Sequence, residues 1–126
     1  MRIGDLMAQW VLAAGVTLFM TASIAQAQTS PQAYTEIKGL LDFVERSHCQ
    51  FVRNGSEYPG PQARAHLEKK LNYLEGKNKV HSAEDFIELA ATKSSMSGTP
   101  YQVRCPDGAQ TANGWLSSEL QRRRQL

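Results

Sequence analysis

The 126-residue sequence is short of the features that announce a function. It has only two cysteines, Cys49 and Cys105, and three histidines, His48, His66 and His81, with no C-x-x-C, H-E-x-x-H or comparable spacing. A metal centre is therefore not expected. Charge of one sign is scarce as well: 14 basic and 12 acidic residues are interspersed to give a net charge of +2, which is no footprint for nucleic acid. There is no G-x-S-x-G elbow, no internal repeat and no cofactor signature. Long hydrophobic runs are also missing, apart from one.

That run, Trp10 to Met20, is uncharged and mostly apolar, follows a segment containing Arg2, and precedes Ala25-Gln26-Ala27. It is too short to span a bilayer comfortably, and with the A-x-A pattern behind it the whole reads as a signal peptide cut after Ala27. The expected mature chain, residues 28 to 126, makes one small exported domain with residues 28 to 33 as a flexible lead-in and no stable membrane anchor. A domain of this size has a modest core. Two cysteines in an oxidising compartment then pair by default, Cys49 with Cys105, closing a loop of more than fifty residues.

Four helical segments are legible. Ser30-Pro31 is an N-cap followed by proline at the first helical position, after which Tyr34, Ile37, Leu40, Leu41 and Val44 recur at helical spacing. Gly39 inside this helix costs about 1 kcal/mol relative to alanine, which suits the close approach of another backbone. The second helix opens at Gly60-Pro61, carries Ala63, His66, Leu67, Lys70, Leu71 and Leu74 on one side and stops at Gly76. Ser82-Ala83-Glu84-Asp85 resembles a capping box that starts the third, with Phe86, Ile87, Ala90 and Ala91 inward. Trp115, Leu116 and Leu120 mark the last, which ends in Arg122-Arg123-Arg124, three cations that complement the helix dipole.

Between these lie Cys49 to Arg53 and Tyr101 to Cys105, both rich in β-formers. Set antiparallel, they put Cys49 opposite Cys105, Phe51 opposite Val103 and Arg53 opposite Tyr101, all on one sheet face. The expected fold is α+β and mainly α: about four short helices around a two-stranded antiparallel ribbon closed by one disulfide.

Phe51-Val52-Arg53-Asn54-Gly55, Ala65-His66-Leu67 with Lys70, Ser82 to Ile87, and Ser94 to Gly98 with Pro100-Tyr101 together resemble the YfeK-like family of small exported bacterial proteins. The resemblance covers roughly residues 40 to 124. It implies a secreted single domain, and as the family has no assigned biochemical activity it implies no reaction.

The chemistry must be weighed from side chains. Arg53 presents a planar, five-donor fork suited to a carboxylate or phosphate, and the Asn54-Gly55 turn offers amides for an anion-binding concavity. Asn-Gly is above all a turn former, however, and a strand-end arginine commonly serves structure. His66 invites a hydrolase reading, with Ser94, Ser95 or Ser97 as nucleophile and Glu84 or Asp85 as orienting acid. A helical histidine beside Leu67 is more often a packed, hydrogen-bonded side chain. The preferred expectation is a non-enzymatic periplasmic binding or interaction module with a surface of Arg53, Asn54, Gly55, His66, Ser95, Ser97, Gly98 and Tyr101. Its partner is another periplasmic protein or a small anionic ligand. The alternative is a small hydrolase or acid-base enzyme using His66 with a nearby serine.

Overall fold

The structure, a computed structural model, describes residues 29–126. The expected signal peptide and its cut after Ala27 lie outside the described residues. The chain runs α1 (Pro31–Arg46), β1 (Gln50–Arg53), β2 (Ser56–Pro59), α2 (Gly60–Gly76), α3 (Ala83–Ala90), β3 (Gln102–Cys105), β4 (Gly108–Thr111) and α4 (Ala112–Arg124). No helix among them is long and apolar enough to cross a membrane.

The helices start where their caps dictate. Ser30 Oγ accepts from the Ala33 amide at 3.1 Å ahead of α1, and Ser82 Oγ accepts from the Asp85 amide at 3.0 Å ahead of α3. Asp85 reaches back one residue further than a capping box requires, accepting from the His81 amide at 2.9 Å. Upstream of α1, the Thr29 hydroxyl lies 2.7 Å from the Val80 carbonyl and 3.0 Å from the Glu75 carboxylate, tying the entry to the far end of α2. The buried stripe of α1 is Ala33, Ile37, Leu40, Leu41 and Val44. Tyr34, expected inside, sits at the edge of that stripe and is 50 % exposed.

The sheet has four strands, in the order β2-β1-β3-β4, and not the two of the expected ribbon. Each inner strand acquires an outer one through a two-residue turn. Asn54 and Gly55 both have positive φ, 51° and 83°, the combination of a type I′ turn whose twist suits a hairpin. Pro106-Asp107 joins β3 to β4, with Gly108 at φ 141° taking up the backbone conformation that follows. The central register is the expected one, with Phe51 opposite Val103 and Gln50 opposite Arg104. Continued by one step it brings Cys49 to Cys105, whose Cα atoms are 4.1 Å apart and whose sulfurs are bonded.

One sheet face is dry and the other wet. Cys49, Phe51, Tyr101 and Val103 are buried against the helices, whereas Gln102 and Arg104 on the opposite face are exposed, the alternation of a half-buried antiparallel sheet. The core joins them to Leu40, Leu67, Phe86 and Leu116. Two glycines mark tight approaches. A Cβ on Gly60 would fall 2.5 Å from the carbonyl oxygens of Val44 and Glu45, so only glycine lets α2 start against the end of α1. At Gly39 the neighbour is the Arg123 guanidinium, 2.6 Å from where a Cβ would stand, a side chain where a second backbone was expected.

Candidate functional site

The site is built on the buried sheet face and the facing side of α2. Tyr101 precedes β3 at the position opposite Arg53. Its amide donates to the Thr92 carbonyl and its carbonyl accepts from the Ala112 amide, at 2.9 and 3.0 Å. The ring is therefore held from both sides of the fold, 1 % exposed and tilted against Phe51 with centroids 5.4 Å apart.

The phenol oxygen of Tyr101 needs partners in so dry a place. It has two: His66 Nε2 and Lys70 Nζ, each at 3.1 Å. These residues are four apart on α2, so they share one face of the helix. Lys70 also donates to the Lys93 carbonyl at 3.0 Å. An ammonium has only donors, so the phenol oxygen accepts from Lys70 and can direct its own proton to His66 Nε2.

Arg53 completes the group. Its guanidinium lies over the Tyr58 ring, 4.9 Å from the centroid, and Nη2 donates to the Tyr58 hydroxyl at 3.2 Å. Phe51, Arg53, Tyr58, Gln62, Ala63 and His66 enclose a cleft of about 330 Å³, within the range of small-ligand sites. Its walls are aromatic and aliphatic; its polar groups are cationic or neutral.

Titration behaviour follows from that composition. Burial first, then the positive charges of Arg53, Lys70 and Lys69, hold His66 below its ordinary value. Lys70 is lowered by burial and by Arg53. Burial raises Tyr101, with Arg53 opposing. Every charge acting on His66 is thus a cation, and its neutral form is the favoured one.

The remaining candidate residues lie elsewhere. Asn54 and the serine-rich turn bind each other: Asn54 Nδ2 donates to Ser94 Oγ at 3.3 Å, and Ser97 Oγ donates to Asn54 Oδ1 at 2.6 Å. Ser94, 4 % exposed, also accepts from the amides of Met96 and Ser97. Gly55 and Gly98 supply positive-φ turn positions. Ser95 borders a second groove on the far side of Lys70. Among the described residues the hydrogen-bond partner of His66 is therefore a phenol and not a serine hydroxyl. Glu84, offered as an orienting acid, is held by Arg124 at the other end of the molecule, and Asp85 by the α3 cap. The described residues form no cluster of three or more His, Cys, Asp or Glu able to hold a metal ion.

Sequence reasoning did not nominate Tyr58 or Lys70 for the site. Lys70 was reachable through its four-residue spacing from His66. Tyr58 was reachable only through the Asn-Gly hairpin, which sets it opposite Phe51.

This arrangement occurs in a chain that belongs to a family of unknown function, DUF5329, whose sequence profile matches residues 31–124. A relative within reach of direct comparison is the uncharacterized protein YfeK of Salmonella typhimurium, 32 % identical over 92 residues that cover 72 % of this chain and 74 % of that protein. No solved structure matches the chain.

Proposed function

We propose that the protein is an exported, non-enzymatic binding module that holds an anionic group of its ligand between Arg53 and His66, with Lys70 behind them. The observation that carries this reading is the convergence of three basic side chains on one buried phenol and its cleft with no carboxylate among the lining residues. Taking cations out of water without a counter-charge is unfavourable, so the cluster gains free energy when an anion arrives. The aromatic walls of Phe51 and Tyr58 add contact area and keep the bonds short of water. Export is supported by the apolar run ahead of Ala25-Gln26-Ala27 and by the disulfide, which persists in oxidising compartments.

Sulfate followed by NMR is a direct probe, since it does not titrate near neutral pH. Saturable shifts at Arg53, Tyr58 and His66, weakened about 10- to 100-fold in Arg53→Ala as expected for a charge-assisted bond, support the reading. Shifts unchanged by that substitution would sink it. Esterase or peptidase turnover that disappears in folded His66→Ala would replace it with the enzymatic alternative.

A further inference from the structure

A second concavity lies beyond the cleft at Arg53 along α2. On the other side of the His66–Tyr101–Lys70 contact a second groove of about 440 Å³ opens, lined by Lys69, Lys70, Tyr73 and Leu74 of α2 and closed by Leu89 and Ser95. The α2 residues bordering the two grooves fall at 62 and 63, 66, 69 and 70, then 73 and 74. That is the helical period, so one face of α2 carries both, over a length of about 18 Å.

Two properties of this face are unsatisfied. Tyr73 is 66 % and Leu89 43 % exposed, apolar side chains uncovered within a concavity. The charges along it are Arg53, Lys69, Lys70 and, above the Tyr73 ring at 5.6 Å, Lys77. Among the described residues, neither groove is lined by an aspartate or glutamate.

We propose that this face of α2 docks an extended, acidic segment of a partner polypeptide, with a carboxylate at the Arg53–His66 end and an apolar side chain seated between Tyr73 and Leu89. The proposal rests on the anion-binding reading above and names the ligand class for it. Charge complementarity requires an acidic partner, and the uncovered apolar walls require one that brings a hydrophobic anchor. The length of the face matches about five or six extended residues. A polypeptide meets both demands in one strand. A flat lipid surface does not enter two grooves separated by a ridge.

The probes are fluorescein-labelled hexapeptides in two blocks: one of three aspartates followed by three leucines, one of aspartates followed by serines, one of lysines followed by leucines. Fluorescence anisotropy is expected to show the aspartate–leucine peptide binding about tenfold more tightly than either control, the gain of burying aliphatic side chains, and loosening as salt rises. Leu89→Ser and Tyr73→Ser, both at exposed positions and checked for an unchanged melting temperature, should each weaken that peptide several-fold while leaving sulfate binding intact. Equal binding of the serine control, or indifference to both substitutions, overturns the groove assignment while the anion site stands. Loss of every Arg53→Ala effect, on sulfate and peptide alike, overturns the anion reading itself. Binding to phosphatidylglycerol vesicles that is lost in Leu89→Ser and Tyr73→Ser, with no binding of the aspartate–leucine peptide, would assign the face to a membrane surface instead.

Discussion

Two groups of basic side chains divide the molecule. Arg122, Arg123 and Arg124 stand together in the sequence at the end of α4, and the fold answers each with a carboxylate. Glu119, 6 % exposed, receives Arg122 at 2.7 Å and Arg123 at 2.8 Å. Arg124 bridges Glu36 at 2.8 Å and Glu84 at 2.6 Å, joining the starts of α1 and α3 to the end of α4. Arg53 of β1 and His66 and Lys70, four apart on α2, converge in space and meet a phenol, a carbonyl and each other's positive field. A run of arginines in sequence is here a structural clasp; the cleft cations, without counter-charges among the described residues, come from β1 and α2. Spatial neutralisation, not density along the chain, distinguishes a cation used by the fold from one available to a ligand.

The strongest way to break the comparison is covalent. The disulfide ties β1 to β3 at the end opposite the Asn54–Ser94 contacts and so maintains the register that sets Arg53 beside Tyr101, whereas the α4 clasp uses helices alone. Cys49→Ser with Cys105→Ser, or reduction, is expected to cost up to about 4 kcal/mol, the chain-entropy value for a loop of this size. Thermal melting should fall accordingly, and sulfate binding should weaken before the α4 ion pairs open. Equal melting temperatures with and without reductant would deny the bond its importance.

A smaller effect separates the two clusters directly. Glu119→Ala leaves two arginines without their partner and a buried space where the carboxylate was, an expected loss of about 1–3 kcal/mol in urea unfolding. Arg53→Ala removes no ion pair among the described residues, only its contacts with Tyr58, and is expected to change stability by no more than about 1 kcal/mol, while weakening anion binding. Reversed effects, with Arg53 mattering more to stability than Glu119, would show that the cleft cluster serves the fold.

Why one half of this contrast was legible and the other was not has a physical basis. The cysteines and the alternation of Phe51 and Val103 propose the same pairing, because both depend on the two-residue repeat of a strand; the central register could therefore be read without coordinates. The outer strands gave no such signal. Ser56-Glu57-Tyr58-Pro59 and Gly108-Ala109-Gln110-Thr111 lie at sheet edges and are mostly exposed, so neither carries apolar alternation, and only the Asn54-Gly55 turn announces a hairpin. His66 and Tyr101 were identified as polar residues of interest, but their hydrogen bond spans 35 residues and follows from how α2 lies on the sheet. That in turn depends on Gly60 against the end of α1, a contact with no sequence pattern. Asn54 and Ser97 looked like ligand groups because their partners, each other, were 43 residues apart.

The finest distinction between the clusters is the pH window in which each responds to acid. Glu36 and Glu84 are held below the usual glutamate value chiefly by hydrogen bonds from Arg124, and Glu119 chiefly by one from Arg122. Their stabilisation is present above the unfolded value near 4.5 and is lost as pH falls through the depressed folded values. His66 acts in a higher window. Its folded pKa lies below the ordinary 6.5, so in acid the unfolded chain takes up a proton first, and stability declines as pH falls from above 6.5. A bound anion reverses the sign at this site: negative charge beside Arg53 and the ring favours imidazolium, so sulfate binding takes up a proton and tightens as pH falls through the same window. The free protein is thus expected to weaken while its affinity grows. NMR titration of the His66 ring with and without sulfate measures both, the ring pKa rising on binding, and His66→Gln should remove the pH dependence of affinity between pH 5 and about 7 while leaving the acid transition of the α4 clasp. A His66 pKa indifferent to sulfate would place the anion elsewhere and leave the cleft cluster a part of the fold, as the clasp is.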